Sequence, residues 1–355
     1  MPSTFPTPLR LSVAILALFT GATHAQDSLV IASYGGEYQD VQRKVFFEPF
    51  TAATGIKVIE ASGISVAKVR SMVMTGNVEW DVFVTSAADV QQLVTNNVLE
   101  NIDYSKIDKK VMDQLDEGAV QPQVLGTQWT SQVLAYSTKA FPNGTNPKSW
   151  ADFWNVSKFP GPRILPAGSF AINATEQALM SDGGIKAVYP LNLDKVYAQY
   201  DKIRPYVIRW VTSSSAVPQA LVDGEAVMGL ANSQRIQDLK DKGAPVDFTW
   251  NEGQISMTYW AMPKGLKHKQ AALKFLEFAS RPEQQAALAR HAIGTVNKQA
   301  LALLTPAELA RMPSAPANFA LQSRLRPEEW LKPGKIGKTI YDDNLARWLQ
   351  WSTQK

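Results

Sequence analysis

The sequence predicts an α/β protein of two lobes, each a mixed sheet flanked by helices, with the lobes discontinuous along the chain and joined by a hinge. Three observations predict it. A chain of 355 residues exceeds what a single hydrophobic core organises, so two domains of ordinary size are expected. Short apolar runs alternate with segments of helical period, the pattern of strands covered by helices. That alternation breaks at turn-rich sequence ending in Phe159-Pro160-Gly161-Pro162 and restarts at Arg163.

In the first half, Leu29 to Ser33 reads as a strand that stops at Tyr34-Gly35-Gly36, where Tyr38, Val41, Val45, Phe46 and Phe50 begin a helical face. Strands at Ile56 to Ile59 and Asp81 to Thr85 alternate with helices at Val66 to Met74 and Ala88 to Val94. From about Trp129 the sequence reads as turn-rich and polar. Beyond it, Arg163 to Leu165, Val207 to Val211 and Ala226 to Leu230 read as strands. Helices are expected at Thr175 to Met180, Leu193 to Ile203, Pro218 to Val222 and Ser233 to Lys240. The apolar strand Tyr259 to Met262 and the amphipathic helix Ala271 to Ala279 return the chain to the first lobe. The expected division is therefore 27–128 with 259–305, and 129–258 with 306–355. Trp330, Trp348 and Trp351 of the proline-rich tail should pack on the second lobe, because tryptophan buries a large apolar area.

The first residues carry a secretory layout: Arg10, an apolar run from Leu11 to Phe19, then small residues to Ala25. The run is shorter than the ~20 residues of a membrane-spanning helix. Residues 1–25 are expected to be cleaved as a signal peptide, and with no cysteine present to take a lipid the mature chain should be a monomer free in a periplasm. The absence of cysteine also excludes disulfides and thiolate metal sites. A net charge of +4 with no basic block argues against nucleic-acid binding.

Motifs of catalysis are missing. The mature chain has only His268 and His291, in no metal-ligand spacing, and no G-x-S-x-G elbow. Gly337-Lys338-Thr339 imitates the end of a phosphate loop, but Lys332 stands where that loop needs its first glycine. No enzyme, cofactor or metal is expected. A secreted hydrolase using two distant carboxylates stays open as the alternative, since such a pair leaves no sequence motif.

Several segments, in order along nearly the whole mature chain, resemble the extracellular solute-binding family of ABC importers that includes the polyamine-binding proteins. These are Ser33-Tyr34-Gly35-Gly36, Trp150-Ala151-Asp152-Phe153-Trp154 leading to Phe159-Pro160-Gly161-Pro162-Arg163, Asp223-Gly224-Glu225-Ala226 to Gly229, and Tyr259-Trp260-Ala261-Met262-Pro263. The resemblance implies a type II periplasmic-binding-protein fold with two crossovers, a ligand between the lobes, and delivery to an inner-membrane permease. Polyamine binders of the family place carboxylates and tryptophans where this chain has Thr258, Ser256, Asn232 and the neutral stretch Ala167 to Asn173, which includes Ser169 and Phe170. A polyamine would be poorly neutralised there, so an amino-acid-like zwitterion or a carboxylate is favoured, with a polyamine as the alternative.

Candidate pocket residues follow from strand ends and crossovers. Tyr34 and Gly35 could offer N–H groups to an anion at a helix start. Ser86 ends a strand, while Trp129 and Phe170 could stack on the ligand. Ser213, Ser214 and Ser215 lie between a strand and the Pro218 helix and could hold a carboxylate, with one of the last two also able to cap that helix. Arg209 and Arg235 are the candidate cations for a bidentate clamp. Ser169 and Asn232 fall at the family's ligand positions, and Tyr259 could close over the ligand.

Overall fold

The computed structural model describes Met1 and residues 28–142, 144–167, 171–213, 215–336 and 339–354, with side chains omitted at 171–173. The expected signal segment, Ser169, Phe170 and Ser214 lie outside the described residues.

Among the described residues the strands are β1 (Ser28–Ser33), β2 (Lys57–Ser62), β3 (Val82–Ser86), β4 (Val124–Ser137), β5 (Arg163–Pro166), β6 (Val207–Val211), β7 (Met228–Asn232), β8 (Val246–Ala261) and β9 (Ser323–Arg324). They run in the order β2-β1-β3-β8-β4-β7-β5-β6, with β9 added to β8. β1 pairs in parallel with β2 and β3, and β5 in parallel with β6 and β7. Between these two parallel groups, β4 and β8 run antiparallel to each other, β8 antiparallel to β3 and β4 antiparallel to β7, while the short β9 lies parallel to β8. The strands expected from apolar runs are all present, as are the helices Val66–Thr75, Ala87–Thr95, Leu193–Ile203, Ser233–Asp241 and Lys269–Ser280.

The sequence predicts a separate sheet for each lobe, yet hydrogen bonding joins them into one, because the crossovers are themselves long strands. β4 occupies sequence that reads as turn-rich, and β8 extends well upstream of Tyr259. The middle of β8 imitates a turn for a physical reason: the four residues between Thr249 and Gln254 face the single residue between Leu134 and Gln132, and Glu252 takes φ 59. This bulge is a docking point. The Glu252 carboxylate accepts the Trp150 N–H at 2.8 Å, and its carbonyl accepts Trp150 Nε1 at 2.9 Å.

One core gathers residues from Leu29 to Trp129 and from Ile255 to Val296, including Phe46, Phe50, Trp260 and Phe275. Another joins Trp150, Phe153, Leu165, Tyr197, Tyr200 and Leu230 to Trp348 and Trp351 of the tail. The earlier part of the tail goes elsewhere: Met312 and Ala315 pack with Ala286, Ala289 and Ala300.

Trp330 meets the second lobe through a buried acid. Glu176 Oε1 accepts from Tyr189 Oη at 2.5 Å and from Trp330 Nε1 at 3.1 Å. Burial pushes its carboxyl above the usual range despite these bonds. A group whose pKa rises on folding stabilises fully below its unfolded value, about 4.3, and that contribution is lost as pH rises through the folded value. Glu176→Gln should therefore gain stability relative to wild type as pH increases from about 5 to 8. Parallel urea midpoints at the two ends test this, and identical slopes would refute it.

Candidate ligand-binding site

Residues directly opposite in an antiparallel pair project to the same face. The register sets Ser86 of β3 opposite Thr258 of β8, and Thr258 opposite Gln128 of β4. It then sets Ser256 opposite Thr130, Gln254 opposite Gln132, and Gln132 opposite Asn232 of β7. One face of the crossover strands thus carries a stripe of hydroxyls and amides with no charge, running from the carboxyl end of β3 to that of β7. Thr130 Oγ1 lies 3.4 Å from Ser256 Oγ.

The start of the first helix is pinned over this stripe. Ser33 Oγ donates to Gln42 Oε1 at 2.5 Å, Gln42 Nε2 donates to Tyr38 Oη at 3.0 Å, and Tyr38 Oη donates to Gln128 Oε1 at 2.9 Å. Gly35 and Gly36 turn the chain at φ 78 and φ 59, a region open mainly to glycine. Tyr34 stands half-exposed beside Tyr38, ring centroids 5.8 Å apart. Across the gap, Lys242 at the end of the Ser233–Asp241 helix reaches Glu37 at 3.6 Å.

The other candidates divide. Gly35 N–H already donates to Gln39 Oε1 at 3.1 Å, so it is not free for an anion. Ser86 caps the Ala87–Thr95 helix by accepting from Asp89 N, and its hydroxyl donates to Asp89 Oδ2 at 2.8 Å. Trp129 and Tyr259 sit one residue out of phase with the stripe and belong to the packed opposite face. Trp129 is buried, donates Nε1 to Asp116 Oδ2 at 2.7 Å, and has the Arg324 guanidinium over its ring. The Tyr259 hydroxyl accepts from Gln121 Nε2 at 3.2 Å. Neither stacks on or closes over the polar stripe; together with Arg324 and Arg326 they line a separate cavity of about 580 Å³.

Arg209 lies on the outer strand β6, half-exposed and paired with Glu225, so the expected clamp is not formed by it. Arg235, three residues after Asn232, is half-buried and pairs with no carboxylate among the described residues. Asn232 caps its helix by accepting from Gln234 N at 3.0 Å, and with Ser213 and Gln132 it lines a small hollow at the ends of β6 and β7. Ser213 Oγ is 2.8 Å from Ser215 Oγ, and Ser215 makes no side-chain cap.

Reading the sequence alone does not single out Gln128, Thr130 and Gln132 of the stripe. Strict alternation in Gln254-Ile255-Ser256-Met257-Thr258 is the available signal for the stripe.

A two-lobed α/β fold with a polar stripe across long crossover strands is the arrangement of a solute-binding protein. The chain matches the bacterial extracellular solute-binding protein model over residues 46–317 and belongs to that family. It is 32% identical to the gamma-aminobutyric acid-binding protein of Pseudomonas aeruginosa over 92% of this chain and 93% of the relative. It is 26% identical to the spermidine/putrescine-binding periplasmic protein of Escherichia coli, over 94% and 95% of the two chains. An ABC transporter substrate-binding protein from Bradyrhizobium japonicum superposes with a TM-score of 0.85 at 32% identity, covering 92% of this chain and all of that one. The protein is the solute-binding component of an ABC importer.

Proposed function

We propose that the chain captures a short amino-acid-like zwitterion, such as an ω-amino acid, in the periplasm as a cleaved, unlipidated monomer and hands it unchanged to an inner-membrane permease. The observation that carries this reading is the uncharged stripe. A dication in a closed cleft needs carboxylates at both ends, and an unpaired ion there costs several kcal/mol. The stripe offers hydrogen bonds along four residues of strand, about 13 Å, the span of a short ω-amino acid with a side chain reaching it from each end. At the β7 end Asn232, Ser213 and Arg235 take the carboxylate. The gamma-aminobutyric acid-binding relative supports this choice; the polyamine-binding relative supports the competing one. Lobe closure bends β4 between Trp129 and Leu134 and β8 between Phe248 and Ile255, where one core gives way to the others.

Thermal-shift and calorimetric screening of the mature protein against 4-aminobutyrate, 5-aminovalerate, glutamate, succinate, putrescine and spermidine tests the reading. The expected result is micromolar binding of an ω-amino acid, about 8 kcal/mol, with the compound recovered intact. Stabilisation by polyamines alone would reject it.

A further inference from the structure

Asp89 is the third residue of the Ala87–Thr95 helix, a position from which acids in this protein elsewhere cap backbone. Asp342 and Glu308 hold the equivalent place in their helices, and each turns back to accept the N–H of its own cap residue, Thr339 or Thr305. Asp89 does not. Among the described residues its side chain accepts only the Ser86 hydroxyl, at 2.8 Å. It is half-buried, and among the described residues no Lys, Arg or His pairs with it. Burial pushes its carboxyl up, the Ser86 bond opposing. Among the described residues this leaves a half-buried carboxylate with no cation, an arrangement that costs stability unless a partner arrives.

Two tyrosines from distant parts of the chain lie within range of that carboxylate's charge. Tyr34 follows β1; Tyr341 lies in the first turn of the Ile340–Thr353 helix, whose Trp348 and Trp351 belong to the second core. Both hydroxyls feel the Asp89 charge, and neither has a hydrogen-bond partner among the described residues. Tyr341 and Ala88, the neighbour of Asp89, line a cavity of about 500 Å³ between the Ala87–Thr95 helix and the tail. A carboxylate and two hydroxyls with no partner among the described residues are groups that a primary ammonium seeks.

We infer that Asp89, Tyr34 and Tyr341 form the ammonium subsite of the cleft, so that an amine-bearing ligand bridges the two lobes at the end of the stripe opposite Arg235. This rests on the proposed solute-binding role and adds to it the residue that distinguishes an amino acid from a simple carboxylate. Asp89→Asn keeps the shape and removes the charge.

The test is isothermal titration of 4-aminobutyrate, putrescine and butyrate into the mature wild type and into Asp89→Asn, with melting of both free proteins. The variant should bind the ammonium compounds about 10- to 100-fold more weakly, bind butyrate unchanged, and melt no lower than wild type. Unaltered binding of both ammonium compounds overturns the subsite. So does a wild type that does not distinguish 4-aminobutyrate from butyrate, which leaves the importer role intact. If putrescine alone binds and the variant weakens it, the subsite stands and the zwitterion reading falls. A wild type that binds neither ammonium compound overturns both.

Discussion

Replacing Arg163 by methionine is expected to remove about 3 kcal/mol or more of folding stability, a large part of the roughly 5–15 kcal/mol typical of a protein. Arg163 opens β5 and is wholly buried. Among the described residues its guanidinium meets no carboxylate. Instead Nε donates to the Phe153 carbonyl at 3.3 Å, while the two terminal nitrogens donate to the carbonyls of Gly161 and Phe159. Burial pushes its pKa down to about 10, so the group stays charged at neutral pH. The cation therefore ties together the end of the Trp150–Trp154 helix, the Phe-Pro-Gly-Pro turn and the first strand of the second parallel group. Methionine fills much of the volume but leaves three carbonyls short of a donor, each costing about 1–3 kcal/mol when buried. Lysine should rescue only in part, because one ammonium cannot reproduce the planar fork. Urea unfolding at constant m-value is the measurement. A methionine variant within about 1 kcal/mol of wild type would show that these carbonyls find other donors.

The same residues show what is legible in the sequence. The Trp-Ala-Asp-Phe-Trp to Phe-Pro-Gly-Pro-Arg stretch stands out as a family-like signature, and its cause is structural: Trp150 and Phe153 are core, and Arg163 gathers the turn. Strands such as β1 and β3 are readable because apolar runs bounded by turn residues have few other uses. The crossovers are not. In β4 the segment Thr127 to Gln132 is almost entirely polar, and in β8 Asn251-Glu252-Gly253 looks like a turn, so both break the apolar signal where the strands cross from one lobe to the other. Misreading those strands costs the parity of the site. Chemistry alone recommends Trp129 and Tyr259, yet period-two geometry puts them on the opposite face from Gln128, Thr130, Ser256 and Thr258. Of the arginines, Arg209 is readable only as a cation; its Glu225 partner, 16 positions along the chain, comes from the fold.

Asn232→Asp should abolish most of the affinity for a carboxylate-bearing ligand while leaving the fold untouched, and the two halves of that statement have different causes. Asn232 ends β7 and caps the Ser233–Asp241 helix through its side-chain oxygen, a task aspartate performs equally well. A new negative charge at a helix N-terminus is, if anything, favourable to the free protein. The melting temperature of the unliganded variant should therefore match or exceed that of wild type. In the cleft, the added carboxylate stands beside Ser213 and Gln132, where the ligand carboxylate is proposed to sit, and would compete for Arg235, the proposed partner of that carboxylate. Like charges in a closed, water-poor site repel, and a partner already satisfied offers nothing to the ligand. Loss of about 100-fold in affinity for 4-aminobutyrate, near 2.7 kcal/mol, is the expected size. Putrescine binding should move the other way, because the cleft would then hold an acid at each end, Asp89 at one and the substituted side chain at the other. Titrating both compounds into the variant separates the outcomes: a parallel loss of both would mean that the cleft had been distorted, and unchanged binding of 4-aminobutyrate would place the ligand carboxylate away from β7.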